Sequence, residues 1–172
     1  MSIDYISPSF SSLRWITRKE MIHIASKYHS KALLNTGLLT DMIKQLIGEC
    51  AQIKVIREEF ASGALHRVVE LHGGNNLLVI AYSFFPESTI LEYPWLKSLG
   101  MHPLGKALHS RGYISRSDFE FARTHWIYTN RDGSTSSTDT WARKYRFLLE
   151  SGDIELIELL CPQFLFEVGR QC

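Results

Sequence analysis

Cysteine and proline are both sparse in this chain, three and five among 172 residues. Cys50, Cys161 and Cys172 stand far apart and are odd in number, which argues against a disulfide framework and suits a reducing compartment, the cytoplasm. No Cys-x-x-Cys occurs. The seven histidines never fall into His-Glu-x-x-His or another familiar ligand spacing, so no metal site is expected. Excess charge of either sign is missing too. A net charge of +1 gives no basic field for nucleic acid or for an anionic membrane. No apolar run reaches the roughly 18 residues that a membrane-spanning helix needs. Residues 1–12 are serine-rich and lack a positive end followed by an apolar stretch, so no secretory signal is expected.

What is present is a balance of 45% hydrophobic and 22% charged residues without repeats or a linker, which predicts one globular domain over 1–172 with a single sizeable core. The apolar spacing predicts a helix from Thr17 to about Leu34, with Ile24, Tyr28 and Leu33 among its apolar positions, broken by Asn35-Thr36-Gly37. A second helix is expected over 41–47, with Thr40 as its N-cap and Met42, Ile43, Leu46 and Ile47 on its buried face. After Gly48 the period changes to two. Strands follow at Ile53–Phe60, His66–Leu71 and Leu77–Phe85, separated by Ser62-Gly63 and by Gly73-Gly74-Asn75-Asn76. Glu87–Leu99 reads as helix interrupted by Pro94, and Gly100, Pro103 and Gly105 bracket a corner leading into a short helix through Leu108. Ile114–Arg123 alternates like a strand, and residues 130–140 read as a mobile polar loop. Trp141–Leu149 and Ile154–Cys161 form a last hairpin around Ser151-Gly152-Asp153. The expected class is therefore α+β, a single mostly antiparallel sheet with helices on one side.

Three placements carry possible chemistry. Arg67 alternates with Val69 and Leu71, so a permanent cation shares a face with aliphatic side chains and needs an anion there. That anion is either an internal carboxylate or a ligand carboxylate gripped by the planar guanidinium; Glu70 is excluded as a partner because it points to the other face. Glu158 alternates with Ile154, Leu156 and Leu160, although Glu155 stands just as apolar on the opposite face. A buried carboxyl there is either the partner of Arg67 or another buried base, or a hydrogen-bond donor whose protonated form burial favours. Pro103-Leu104-Gly105 is a corner whose backbone amides could meet an anion.

Taken together, the chain resembles the chorismate pyruvate-lyase family. The likeness rests on Val55-Ile56-Arg57-Glu58-Glu59-Phe60, Leu65-His66-Arg67-Val68-Val69-Glu70-Leu71 and Pro103-Leu104-Gly105-Lys106-Ala107-Leu108, then on 114–123, Trp141-Ala142-Arg143-Lys144-Tyr145-Arg146 and Glu158-Leu159-Leu160-Cys161-Pro162. Their order and spacing cover about Leu38 to Phe166, while residues 1–37 carry no family signal. The resemblance implies a cofactor-independent, monomeric cytoplasmic lyase that splits chorismate into 4-hydroxybenzoate and pyruvate at the head of ubiquinone synthesis. It also implies that Arg67 and Glu158 are catalytic, that Met42, Arg67, Leu104 and Glu158 bind substrate, and that helical flaps around Met42 and Leu104 cover a buried site. One departure is evident. Family members carry Gly-Arg where this chain has Ala81-Tyr82, which leaves Arg116, Arg143 or Lys106 to serve the second carboxylate of chorismate. The alternative is a non-catalytic sensor of a small carboxylate on the same fold; such domains usually follow a DNA-binding module, and the basic charge for DNA is missing here.

Overall fold

The structure, a computed structural model, describes residues 10–24, 32–129 and 132–170. Its centre is one antiparallel sheet of seven strands in the order β1-β5-β6-β7-β4-β3-β2. The strands are β1 (Ile16–Thr17), β2 (Gln52–Ala61), β3 (Ala64–Gly73), β4 (Asn76–Pro86), β5 (Glu120–Thr129), β6 (Thr135–Phe147) and β7 (Ile154–Leu160). The helices are α1 (Arg18–Ile24), α2 (Leu39–Ile47), α3 (Glu87–Glu92), α4 (Leu104–His109) and α5 (Pro162–Arg170), with a 3-10 turn at Pro94–Ser98 between α3 and α4. Among the described residues no helix is long and apolar enough to cross a membrane.

Local chemistry explains most boundaries. Thr17 opens α1 through a capping box, because the Glu20 carboxylate accepts the Thr17 N–H at 2.8 Å while Thr17 Oγ1 accepts the Glu20 N–H. The turn between β2 and β3 needs positive φ at both central residues, and Ser62 and Gly63 adopt 53° and 75°. That two-residue turn fixes the register, so Ala61 pairs with Ala64 and Glu58 with Arg67. Every helix turns its apolar residues to the same sheet face. Met21, Met42, Ile43, Phe164 and Leu165 join Val69, Leu71, Val79 and Trp141 in one half of the core. Ile90, Leu104 and Leu108 join Phe85, Phe147 and Ile154 in the other. The opposite face holds a smaller cluster around Ile80, Tyr82, Trp126 and Leu159, covered in part by Phe10, whose ring meets Tyr82 edge-on at 4.7 Å.

Several expectations need correction. Thr40 lies inside α2, which begins at Leu39 with Leu38 at the cap position and no side-chain cap bond. The strand expected over Ile114–Arg123 starts only at Glu120; before it the chain touches β6 through an isolated bridge from Arg116 to Phe147. Within the expected loop 130–140, residues 135–140 belong to β6, and residues 130 and 131 lie outside the described ones. The first helix is present as α1 and as a helical turn at 32–34, with 25–31 outside the described residues. The closing helix α5 had no counterpart in the pattern reading.

Candidate active site

A cavity lies on the helical face between the two halves of the core. Its floor consists of Arg67, Val69 and Leu71 from β3, Ala81 and Ser83 from β4, Tyr145 from β6, and Leu156 and Glu158 from β7. Register explains why these residues meet. Arg67 pairs with Ser83, Ser83 with Leu156, and Leu156 with Tyr145; one two-residue step along, Val69 pairs with Ala81, Ala81 with Glu158, and Glu158 with Arg143. Residues in such rows share a face. Strand spacing and rise then separate the Arg67 and Glu158 Cα atoms by roughly 12 Å, with β4 between them. The roof comes from Leu38, Leu39 and Thr40 at the start of α2 and from His102, Pro103, Leu104, Gly105 and Lys106 at the corner before and within α4.

At one end, Arg67 is 3% exposed and held twice. Its Nη1 donates to Glu58 at 2.5 Å and its Nη2 to the Gly100 carbonyl. The Glu58 side chain is 30% exposed, so this pair sits at the rim and reaches water. The other end is drier. Glu158 accepts from Arg143 Nε at 2.5 Å and from the Tyr145 hydroxyl at 3.2 Å. Arg143 is fully buried and also donates Nη1 to the Asn35 carbonyl at 2.7 Å. Burial, and then the neighbouring Glu158 charge, hold the Tyr145 phenol far above the usual tyrosine range, so it stays a protonated donor at neutral pH. Thus Arg67 and Glu158 face one cavity but are not each other's partners. Both bonds at Glu158 are accepted by its carboxyl oxygens, and the buried base that pairs with it is Arg143.

Leu104 is buried and lines the cavity from the roof side. Met42 is buried in the core beside Leu39 and Ile43, and the part of α2 that lines the cavity is its first turn instead. Tyr82 packs on the opposite sheet face, so the cations at the cavity are Arg67 and Lys106, with Arg143 behind Glu158. Pattern reading missed Tyr145 and Glu58, although both had a signal. Tyr145 alternates with Arg143 and Phe147 along β6, and Glu58 is reached by counting pairs outward from the Ser62-Gly63 turn.

The cavity holds about 50 Å³. Pockets for small organic ligands run to roughly 300–1,000 Å³, well above the space between this floor and roof. The roof packs into the two halves of the core through Leu39 and Leu104. Arg67 ties it to the sheet through the Gly100 carbonyl, and Gly105 allows close approach to α2, since a Cβ there would meet Leu38 Cδ2 at 2.8 Å. Neither a scan against protein-family models nor a search of curated proteins finds a match for this chain.

Proposed function

We propose that this chain is a chorismate pyruvate-lyase, eliminating pyruvate from chorismate to leave 4-hydroxybenzoate. The supporting observation is the polarity of one roofed cavity: a guanidinium at one end, a carboxylate and a phenol at the other, and aliphatic walls between them. That arrangement suits a flat ring bearing a carboxylate at one end and oxygens at the other.

The enolpyruvyl C–O bond breaks as the neighbouring hydroxyl-bearing ring carbon gives its proton to the departing enolpyruvyl group, which leaves as pyruvate, and the ring becomes aromatic. Aromaticity supplies much of the driving force, so the protein's part is to orient, to exclude water and to stabilise the charge that shifts. Arg67 exchanges the Gly100 carbonyl for the ring carboxylate and grips it through two N–H donors. Glu158, fixed by Arg143, accepts a hydrogen bond from the ring hydroxyl. Tyr145 donates to the ether oxygen as the C–O bond opens. The backbone at Leu104 closes over the ring. The test is to incubate purified protein with chorismate and follow 4-hydroxybenzoate by absorbance. Steady release of product supports the lyase; tight binding of 4-hydroxybenzoate with chorismate left intact makes the cavity a carboxylate sensor instead.

A further inference from the structure

The substrate proposed above carries two carboxylates, and Arg67 takes the one on the ring. Resting on that reading, we infer that Lys106 holds the other, on the enolpyruvyl group, where the cavity adjoins a cleft beside α4. The cleft holds about 350 Å³, within the roughly 300–1,000 Å³ of small-molecule pockets. Trp95, Ser98 and Arg111 line it, and it shares His102, Pro103 and Lys106 with the first cavity. Lys106 therefore stands where the two spaces meet, and it is exposed.

Charge balance carries the assignment. Arg67 is paired with Glu58 and Arg143 with Glu158, so the buried charges around the cavity cancel in pairs. A dianion entering there needs a further cation that has no carboxylate of its own. Arg116 does not line the cavity, and Arg143 spends Nε on Glu158 and Nη1 on the Asn35 carbonyl. Lys106 does line it, and its ammonium forms no ion pair or hydrogen bond among the described residues. The surroundings keep acid away as well. No Asp or Glu occurs from Tyr93 to Ser117, a stretch that carries Lys97, Lys106, Arg111 and Arg116. In the cleft, the Arg111 guanidinium lies over the Trp95 ring, 4.1 Å from its centroid, and donates to the Ala107 carbonyl at 3.0 Å. Arg111 is thus held in place and adds positive potential, leaving Lys106 to meet the anion. The residue types suit the division of labour. The ring carboxylate stays put and fits a planar guanidinium, whereas the enolpyruvyl carboxylate departs with pyruvate and fits a point charge on a flexible stem.

The probe is an unreactive dicarboxylate, 4-hydroxybenzoate bearing a carboxymethoxy group on the ring carbon next to the hydroxyl, titrated calorimetrically beside 4-hydroxybenzoate itself. Lys106→Gln should weaken the dicarboxylate about five- to tenfold and leave 4-hydroxybenzoate within about twofold of the wild type, a loss between that of an exposed ion pair and that of a charge-assisted hydrogen bond. Lys106→Arg should restore most of it, and Arg67→Ala should weaken both ligands. Added salt should narrow the gap between wild type and Lys106→Gln, because the lysine is exposed. In turnover, Lys106→Gln should raise KM for chorismate by a similar factor. Wild-type affinity of Lys106→Gln for the dicarboxylate, or equal weakening of both ligands, overturns the assignment and leaves the lyase reading standing if chorismate is still converted. Chorismate left intact beside the selective loss removes the lyase reading and keeps Lys106 as the cation for a second carboxylate. A wild type that binds neither ligand overturns both.

Discussion

Two arginines, Arg67 on β3 and Arg143 on β6, are buried alike yet differ in what their loss should do. Arg67 is paired with Glu58, whose side chain reaches water, so Arg67→Ala lets Glu58 turn outward at a folding cost on the order of 1 kcal/mol. Affinity for 4-hydroxybenzoate should nevertheless fall about ten- to a hundredfold, with partial rescue by lysine. Arg143 and Glu158 have no such escape, being 0% and 5% exposed. Arg143→Ala leaves a carboxylate stranded in the core and should cost about 3–5 kcal/mol. Thermal melts beside calorimetric titration separate the two effects; equal destabilisation by both variants would contradict this division. Tyr145 adds a pH signature. Its folded pKa is raised, so below about pH 10 the phenol is protonated in both states and its contribution is constant. Above that, the unfolded chain loses the proton and the folded one does not, so stability falls by about 1.4 kcal/mol per pH unit. Urea melts from pH 9 to 11 should show a shallower fall for Tyr145→Phe than for the wild type. At this scale the sequence was partly readable. The Arg67 partner follows from a two-residue turn, whereas Arg143 meets Glu158 only through a pairing between β6 and β7 whose register depends on the whole sheet.

The roof elements over the cavity are short, and Gly105 fixes how closely they sit. A Cβ at Gly105 would meet the flexible end of Leu38 at 2.8 Å, so Gly105→Ala should push the start of α2 and the corner apart. The expected result is several-fold weaker binding of 4-hydroxybenzoate with little change in melting temperature. A Cβ at Gly73 would instead meet Ile47 Cδ1 and Leu78 Cδ1, both at 2.7 Å, in the packed half of the core. Gly73→Ala should cost about 1–3 kcal/mol as overpacking and leave affinity near that of the wild type. Reversal of this pattern in paired melts and titrations would mean that the roof is not where the cavity opens. Elements were legible wherever a strand has one dry face and one wet face. The misread segments break that condition. Residues 135–139 are mostly exposed polar positions of a hairpin end, so they look like loop although β5 pairs with them throughout. Residues 114–119 alternate because Phe119 packs inward, while only scattered bonds such as Ser117 N–H to the Arg146 carbonyl join them to the sheet.

For the whole molecule, strand order is what brings the site together. The last strand, β7, inserts between β4 and β6, so the strand carrying Glu158 lies two places from the strand carrying Arg67. Alternation along each strand reveals which residues share a face but not which strands are neighbours, and no local signal announces an insertion across some seventy intervening residues. The α+β class and the helices gathered on one face were therefore readable, while the floor of the cavity was not. The central claim is tested most directly by proton NMR of chorismate mixed with catalytic amounts of the protein. The enolpyruvyl vinyl signals should vanish in step with the growth of 4-hydroxybenzoate doublets and the pyruvate methyl, one product of each kind per substrate, and Arg67→Ala should slow that conversion by at least about tenfold. Chorismate that survives equimolar protein unchanged, or conversion equally fast with Arg67→Ala, would contradict the account.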